Sequence, residues 1–323
     1  MNREECTLTE KIAVVGTGLV GTAWAIVFAR AGREVWLHDV ADGAVERSIA
    51  RIETLLPALA EDGLLNAQSP EAVRSRLHPA RSLAAALEGA VHVQESGPER
   101  LEVKRELHAE IDALAPPGSV VASSTSGIRA STFSETLEHR ERVLVAHPIN
   151  PPHLVPLVEL VPAPWTAESV VDATAALMRA VGQSPVRLNR EVNGFVVNRL
   201  QGALLAEAFR LVEDGVCGVE DVDAAIADGL GLRWSFIGPF ETIDLNSPDG
   251  VKGYCDMLGD LYYELACEQA DPRRWEAPLV ERIEGERRAA LPKEALAERQ
   301  AWRDRWLAQI VKAKGAIREM NGG

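Results

Sequence analysis

The sequence contains little cysteine, and its cysteines follow no recognisable pattern. The four present, Cys6, Cys217, Cys255 and Cys267, form neither a Cys-x-x-Cys pair nor a spacing typical of zinc ligands. A disulfide framework or a zinc module would require such spacings. We therefore expect reduced thiols, no bound metal and a location in the reducing cytoplasm.

Basic residues and long apolar runs are also scarce. Lysine and arginine total 34 against 48 acidic residues, which gives a net charge of −14 and argues against the basic face of a nucleic-acid or anionic-membrane binder. No run of about 18 consecutive apolar residues is present to cross a bilayer. The segment Met1–Glu10 lacks the basic and apolar regions of a signal peptide. The sequence thus predicts neither a nucleic-acid nor a membrane partner.

The rest of the composition is that of a globular protein with two domains. Apolar residues make up 46% and charged residues 25% of the chain, which excludes a disordered, collagen-like or coiled-coil protein. Its length of 323 residues is more than one domain with a single core usually contains. In the first half, short apolar runs alternate with amphipathic stretches, as in a parallel sheet with crossover helices. The predicted strands are Ile12–Val15, Val35–His38, Val91–Gln94, Val120–Ser123, Val143–Ala146, Pro156–Val161 and Pro185–Leu188.

Beyond Asn189 the amino-acid composition changes, and Ala, Leu, Glu and Arg dominate, which indicates a helical domain. Apolar residues at three- to four-residue spacing predict a long helix over Gly194–Asp214 that stops at Gly215. We therefore predict an α/β protein. Its N-terminal Rossmann-like doubly wound sheet would occupy residues 1–190, and an all-α C-terminal domain would occupy residues 191–323.

A glycine-rich turn follows the first predicted strand. The segment Gly16-Thr17-Gly18-Leu19-Val20-Gly21 fits Gly-x-Gly-x-x-Gly and precedes a helical stretch. Gly16 permits a tight turn, Gly18 lets the backbone approach a pyrophosphate, and Gly21 allows the helix to pack on the strand. The amide groups at the helix start, including those of Leu19 and Val20, favour an anion. This context predicts a dinucleotide site.

The second predicted strand supports NAD rather than NADP as the dinucleotide. Asp39 follows this strand, 18 residues beyond Gly21, where a ribose-binding carboxylate is expected. Its charge would accept hydrogen bonds from the ribose hydroxyls and repel a 2′-phosphate. Arg33 is the nearest candidate to bind a 2′-phosphate, but it precedes the strand and is interpreted as a surface residue.

Polar residues follow two further strands. Ser124, Thr125 and Ser126 follow one, where they could equally cap the next helix. His147 ends another, and Glu159 lies inside an apolar segment twelve residues later. A buried carboxylate needs a partner, and an imidazole is a natural one, so the two predict a general base with its orienting carboxylate.

Together these motifs resemble the 3-hydroxyacyl-CoA dehydrogenase superfamily, and within it the lambda-crystallin and L-gulonate 3-dehydrogenase branch. The resemblance extends from about Ile12 to Asp304. The segments that carry it, besides the glycine turn, are residues 124–126, 147–152, 156–162, 194–199 and 228–239. It implies an NAD-dependent dehydrogenase whose second domain binds substrate and forms a homodimer.

The resemblance also implies roles for individual residues. His147 matches the catalytic base and Glu159 its orienting carboxylate. Ser126 and Asn198 match the residues that hold the reacting oxygen of the substrate.

Three more positions complete the implied site. Glu99 and Lys104 match contacts to the nicotinamide half of NAD. Asn150, in the loop after the matched base, is a further candidate contact to the substrate or ribose, although Asn-Pro-Pro also suits a simple turn.

The substrate is predicted from charges that the chain lacks. No lysine occurs between Lys11 and Lys104, whereas this region is lysine-rich in the acyl-CoA branch, so a small hydroxy acid is favoured over a CoA thioester. Arg233 is the candidate carboxylate clamp because a guanidinium binds carboxylates in bidentate fashion. An interface or surface role for Arg233 is equally compatible, and Lys252 is a weaker candidate.

The leading hypothesis is oxidation of L-gulonate to 3-dehydro-L-gulonate. L-Carnitine and a 3-hydroxyacyl-CoA remain alternatives. A carnitine site would need an aromatic or acidic box for the quaternary ammonium, to which Trp24, Trp234, Phe236 or Tyr254 could contribute. A crystallin-like structural protein or an NADH-binding protein is the non-enzymatic alternative, and it would not need the four matched catalytic residues together.

Overall fold

The computed structural model describes residues 10–320, so Cys6 lies outside the described residues. Their contacts form two units, one running to Val197 and resuming at Asp304, the other from Asn198 to Arg303. The segment from Asp304 onward was predicted to belong to the second domain. It groups instead with the first unit, because Ala308 is buried in that unit's core.

Within residues 10–320, the first unit is built on a single sheet of eight strands. They are β1 (Lys11–Val15), β2 (Glu34–His38), β3 (Leu77–Pro79), β4 (His92–Glu95), β5 (Val120–Ser123), β6 (Val143–Pro148), β7 (Leu157–Pro162) and β8 (Ser184–Arg187). The spatial order is β3-β2-β1-β4-β5-β6-β7-β8. Adjacent strands from β3 to β6 in this order pair in parallel. Because parallel strands end at one edge, the turns after β1, β2, β4, β5 and β6 share that edge of the Rossmann-like sheet.

Seven helices of this unit connect the strands. They are α1 (Leu19–Arg30), α2 (Ala44–Glu61), α3 (Pro70–Ser75), α4 (Leu83–Leu87), α5 (Leu101–Leu114), α6 (Ala130–Ser134) and α7 (Glu168–Ala180). Every residue of α1 from Gly21 to Arg30 is buried, and Trp24 stacks on Phe28 with ring centroids 5.4 Å apart. This central position in the core holds the start of α1 beside the end of β1.

The sheet changes direction between β6 and β7. These two strands are antiparallel, and their register places His147 directly opposite Glu159. Opposed side chains of an antiparallel pair lie on the same face with Cβ atoms about 4.5–5.5 Å apart. The reversal therefore brings together an imidazole and a carboxylate that are twelve positions apart in the sequence.

The remaining helices begin at the end of the first unit. They are α8 (Val197–Glu213), α9 (Val219–Ala224), α10 (Gly231–Trp234), α11 (Pro239–Leu245), α12 (Gly250–Glu268), α13 (Ala277–Ala290) and α14 (Leu296–Met320). A π-helical stretch, Ala225–Leu230, lies between α9 and α10. Helix α14 continues into the first unit. Between residues 10 and 320, each helix is too short or too polar to cross a bilayer.

Two details differ from the sequence-based prediction. The helix expected from Gly194 begins at Val197, because Gly194 and Phe195 have left-handed φ values of 74° and 51° that end a turn rather than start a helix. It stops at Glu213, before Gly215 with φ 71°, as predicted. Strand β3 was not predicted, because its three residues are too few to show an alternating pattern.

Candidate active site

The glycine turn closes against the chain that follows β4. Gly16 has φ 91°, and a Cβ there would lie 2.6 Å from the backbone carbon and oxygen of Ser96. A Cβ on Gly21 would lie 1.9 Å from the carbonyl oxygen of Gly16. Gly18, in contrast, has nothing within 4 Å of a Cβ position. The turn is therefore tightly packed at Gly16 and Gly21 and open at Gly18, where a ligand would approach.

The first turn of α1 carries no side-chain cap. Gly18 occupies the N-cap position, Leu19 is 59% exposed and Val20 is half-buried. Free amide groups and the positive end of the helix dipole thus face the opening above the glycines. These features fit the pyrophosphate of a dinucleotide.

Asp39 lies next to this turn, directly after β2. Its carboxylate accepts hydrogen bonds from the backbone amide and hydroxyl of Thr17 at 2.7 and 3.0 Å, and from the Ala41 amide at 2.9 Å. Partial burial opposes ionisation, but these hydrogen bonds outweigh it and hold the pKa of Asp39 below its ordinary value. Asp39 borders a cavity of about 570 Å³ that is also lined by Val103 and Leu107 of α5, together with Glu106 and Glu110. A charged acceptor beside apolar side chains suits a ribose and its purine.

A buried ionic cluster joins the end of β4 to α5. Glu95 is fully buried, and Lys104 Nζ lies 3.0 and 3.1 Å from its two carboxylate oxygens. His108 Nε2 at 3.2 Å and the Ser123 hydroxyl at 2.5 Å also contact it. Burial opposes ionisation of Glu95, but the bond and charge of His108 and the charge of Lys104 bring its pKa down to about 2.

Glu99 connects this cluster to the loop after β5. Its Oε1 accepts hydrogen bonds from the Thr125 hydroxyl at 2.6 Å and from the amides of Ser126 and Gly127 at 3.0 and 3.1 Å. Lys104 Nζ lies 3.9 Å from the other oxygen of Glu99 and is only 1% exposed. The family resemblance implies that both residues contact the cofactor. In the structure Glu99 is partly exposed, whereas Lys104 is enclosed and paired with Glu95.

The hydroxyl cluster after β5 divides into two roles. Ser124 is buried, and its oxygen accepts hydrogen bonds from Trp24 Nε1 at 3.1 Å and Gln94 Nε2 at 2.8 Å, so it ties the loop to α1 and β4. Ser126 is exposed beyond the end of β5. Of the three polar residues, Ser126 is thus the one presented at the edge of the sheet.

His147 and Glu159 meet as the register of β6 and β7 requires. Nδ1 of His147 lies 2.8 Å from Oε2 of Glu159, and their side chains are 6% and 0% exposed. A carboxylate only accepts hydrogen bonds, so Nδ1 carries the proton and the neutral ring keeps the lone pair on Nε2. The pair can therefore take up one proton at Nε2.

The start of α8 also acts on this carboxylate. The Val196 and Val197 amides donate to Oε1 of Glu159 at 2.7 and 3.0 Å. Burial opposes ionisation of Glu159, but the bonds from His147 and these amides outweigh it and lower its pKa from the ordinary value. The left-handed Phe195 packs on His147 with ring centroids 5.5 Å apart. Glu159 is thus held as an anion with both oxygens engaged.

Three further predicted substrate contacts lie in the loop after β6 and in the second unit. Asn150 is exposed in the loop after β6. Asn198 is the second residue of α8 and belongs to the second unit. Arg233, also in the second unit, is exposed in α10, while Lys252 pairs with Asp256 at 2.6 Å.

Two contributors to this edge of the sheet were not predicted from the sequence. The cluster around Glu95 was not predicted, although a carboxylate at the end of an apolar strand was a signal like that of Glu159. The amides of Val196 and Val197 carry no side-chain signal at all. Within the described part of the chain, no group of three or more His, Cys, Asp or Glu side chains is arranged to bind a metal ion.

Comparison with known families covers most of the chain. Residues 11–192 match the 3-hydroxyacyl-CoA dehydrogenase NAD binding domain. Residues 194–287 match the 3-hydroxyacyl-CoA dehydrogenase C-terminal domain. The junction between the two matches falls just before α8.

Relatives of known name match over nearly their full length. The lambda-crystallin homolog of Bos taurus is 43% identical over 306 residues, which is 94% of this chain and 95% of the relative. An L-carnitine dehydrogenase of a Pseudomonas species is 35% identical over 317 residues, covering 98% of this chain and 97% of the relative.

A solved structure is similar over nearly the whole chain. It is 5-formyl-3-hydroxy-2-methylpyridine 4-carboxylic acid 5-dehydrogenase, an NAD+-dependent dismutase. Its TM-score is 0.81 at 29% identity, with 98% of this chain and 99% of that chain covered.

Proposed function

Because the chain belongs to the 3-hydroxyacyl-CoA dehydrogenase family, we propose that this NAD-dependent oxidoreductase oxidises the 3-hydroxyl of a small hydroxy acid, L-gulonate, to 3-dehydro-L-gulonate. The observation that carries the proposal is the hydrogen bond between His147 and Glu159 at the edge of the sheet that also bears the glycine turn. A structural or NADH-binding protein would have no use for a base held in one tautomer by a buried carboxylate.

The residues of the glycine turn fit NAD. Gly16, Gly18 and Gly21, with the amides of Leu19 and Val20, would hold the pyrophosphate.

Two carboxylates would hold the sugars. Asp39 would accept the adenosine ribose hydroxyls, and Glu99 would contact the nicotinamide half. Because Lys104 is enclosed, we assign it the role of holding Glu99 and Glu95 in place. NAD supplies the acceptor for the hydride that leaves the substrate carbon.

His147 acts as the general base. Its Nε2 takes the proton of the substrate hydroxyl, and Glu159 stabilises the positive charge that develops on the ring. Since Glu159 is already ionised and held by two backbone amides, it needs no reorganisation when that charge appears. Ser126 and Asn198 would donate to the substrate oxygen as it gains alkoxide character.

The preference for a hydroxy acid over a thioester rests on charge. The chain from Lys11 to Lys104 has no lysine between them, whereas the phosphates of coenzyme A call for cations. Arg233 would hold the substrate carboxylate, and Asn150 would add a polar contact. The 43% identity to a lambda-crystallin homolog over nearly the whole chain supports the sugar-acid branch.

L-Carnitine is the second candidate. It is also a 3-hydroxy carboxylate, and the match to an L-carnitine dehydrogenase covers 98% of this chain. In this case the quaternary ammonium would lie against aromatic faces such as those of Trp234 and Tyr254.

The setting of the enzyme follows from the same argument. We propose that residues 1–190 bind the cofactor and that the following chain up to Arg303 binds substrate and forms the dimer, because the segment from Asp304 groups with the first unit. The protein would work as a cytoplasmic homodimer, in keeping with the free thiols of Cys217, Cys255 and Cys267.

The experiment that tests the proposal is a substrate panel. NADH formation is followed with L-gulonate, L-carnitine, 3-hydroxybutyrate and 3-hydroxybutyryl-CoA, each with NAD and with NADP. His147→Gln is measured beside His139→Gln, the same substitution at an exposed histidine. We expect turnover of L-gulonate with NAD, lost by about 10²–10⁴-fold in His147→Gln and retained in His139→Gln.

The other outcomes distinguish the alternatives. Preference for the thioester would refute the argument from missing lysines, and preference for L-carnitine would favour the second candidate. A loss below about tenfold in folded His147→Gln would remove this residue from the mechanism. Inactivity on all four substrates together with tight NADH binding would favour the non-enzymatic alternative.

A further inference from the structure

A second cavity of the first unit is lined by cationic residues that the proposed reaction does not use. Its volume is about 230 Å³, and it shares no lining residue with the cavity beside Asp39. Five segments form its wall: the end of α1, the turn after α2, the connection between β6 and β7, the start of β8 and the C-terminal part of α14. Pockets for drug-sized ligands are usually about 300 Å³ or larger, so this cavity suits a small ion.

Arg30 is the central residue of this wall. It ends α1 and is only 8% exposed. Its Nη1 donates to the carbonyl oxygens of Leu64 at 3.1 Å and His153 at 2.8 Å. Among residues 10–320, its Nε has no hydrogen-bond partner. Burial lowers its pKa to about 10, still well above neutrality, so the cavity contains a buried cation whose hydrogen bonds go to backbone carbonyl groups.

Two further side chains add donors from other segments. Nδ1 of His153 is buried without a partner. Burial, together with the charge of Arg30, lowers the pKa of His153 to about 4, so the ring is neutral at neutral pH and can donate from one nitrogen. Lys314 of α14 also lines the cavity. Asp304 is the acid whose charge acts on His153, and it is opposed there by Arg51 as well as Arg30.

We propose that this cavity binds a small tetrahedral oxyanion of the phosphate class through Arg30, His153 and Lys314. A guanidinium, a ring N–H and an ammonium that come from three different segments suit an anion with several acceptor oxygens. The bound anion would neutralise Arg30 and join α14 to the connection between β6 and β7. The site is independent of the proposed substrate.

The test is thermal unfolding of the full chain with increasing inorganic phosphate, at constant ionic strength set with chloride. Saturating NADH is present throughout, because the glycine turn also attracts phosphate groups. Lys314→Met is the principal variant, and Lys312→Met, an exposed lysine of the same helix outside the cavity, is its matched control. Arg30→Met is the second variant, and sulfate and acetate are run in parallel.

We expect phosphate at about ten times its Kd to raise the Tm by about 2–4 °C in the wild type and in Lys312→Met. Sulfate should act likewise, while acetate should not. The rise should be absent in Lys314→Met and in Arg30→Met; if Arg30→Met does not fold, Lys314→Met decides. No rise in the wild type would overturn the proposal. So would an equal rise in Lys314→Met or with acetate, which would reveal a general salt effect.

Discussion

Glu159→Gln is the substitution that most directly tests how the base is prepared. In the wild type, Oε1 of Glu159 accepts the amides of Val196 and Val197, and Oε2 accepts the proton on His147 Nδ1. A glutamine keeps one oxygen acceptor, and the two amides compete for it. The glutamine NH2 group must then face Nδ1. An N–H group there requires an unprotonated Nδ1, which moves the ring proton to Nε2.

The consequence is a base in the wrong tautomer. Nε2 would carry a proton and could not accept that of the substrate, and the charge that stabilises the protonated ring would be gone. General-base catalysis supplies about 10²–10⁴-fold, and the corresponding change in a Ser-His-Asp triad costs about 10⁴. We therefore expect kcat to fall by about 10²–10⁴-fold with little change in NADH affinity, since Glu159 lies outside the glycine turn.

The assay is steady-state NADH formation with the best substrate of the panel, together with NADH fluorescence titration and circular dichroism. Glu168→Gln is the matched control, because it is the same substitution at an exposed carboxylate that pairs with Arg187. It should retain wild-type activity. A folded Glu159→Gln enzyme within about tenfold of wild-type kcat would refute the argument that the carboxylate selects the tautomer.

Three other predictions concern the cofactor turn and the buried cluster. Gly21→Ala should abolish NADH binding, because its Cβ would lie 1.9 Å from a carbonyl oxygen, whereas Gly18→Ala should fold normally but bind NADH at least about tenfold more weakly; unchanged affinity in Gly18→Ala would refute the placement of the pyrophosphate. Asp39→Asn should raise the ratio of kcat/KM for NADP over NAD by about tenfold, and an unchanged ratio would show that this carboxylate does not exclude the 2′-phosphate. The folded-state pKa of Glu95 is about 2, below its ordinary value of 4.5. Its ionisation therefore stabilises the fold fully above pH 4.5, and this stabilisation is lost as the pH falls toward 2. Glu95→Gln should therefore cost about 3–5 kcal/mol at neutral pH and flatten the decline in this acid range during urea unfolding, while an unchanged decline would contradict the shifted pKa.

The conformation of the glycine turn and its place after β1 could be predicted from patterns that are local in the sequence, while its contacts to a cofactor stay predictions. The glycine turn is a strand, three glycines and a helix start in one continuous segment, so steric rules alone place Gly16, Gly18 and Gly21. Asp39 follows from a spacing that one strand–helix–strand unit determines. His147 and Glu159 could be paired because a carboxylate in an apolar strand needs a partner, and the structure brings them within 2.8 Å.

Features that depend on long-range packing were beyond the sequence. Lys104 was matched to a cofactor contact, yet its ammonium pairs with Glu95 because α5 packs that side chain inward. Arg30 looks like an ordinary helix-ending arginine, and only the return of α14 to the first unit reveals the cavity around it. The roles of Ser126 and Asn198 toward a substrate stay predictions.

The antiparallel pairing of β6 and β7 has a consequence for the length of chain that must close before each site can form. Strand β1 pairs with β4, and the partners Ile12 and His92 are eighty positions apart, so the cofactor edge cannot close until much of the first unit has been synthesised. The imidazole and its carboxylate need only the short connection between two consecutive strands. Contacts between near neighbours in sequence form at a lower entropic cost of loop closure. The imidazole and its carboxylate are therefore brought together by closing a shorter loop than the one that joins the strands of the dinucleotide site.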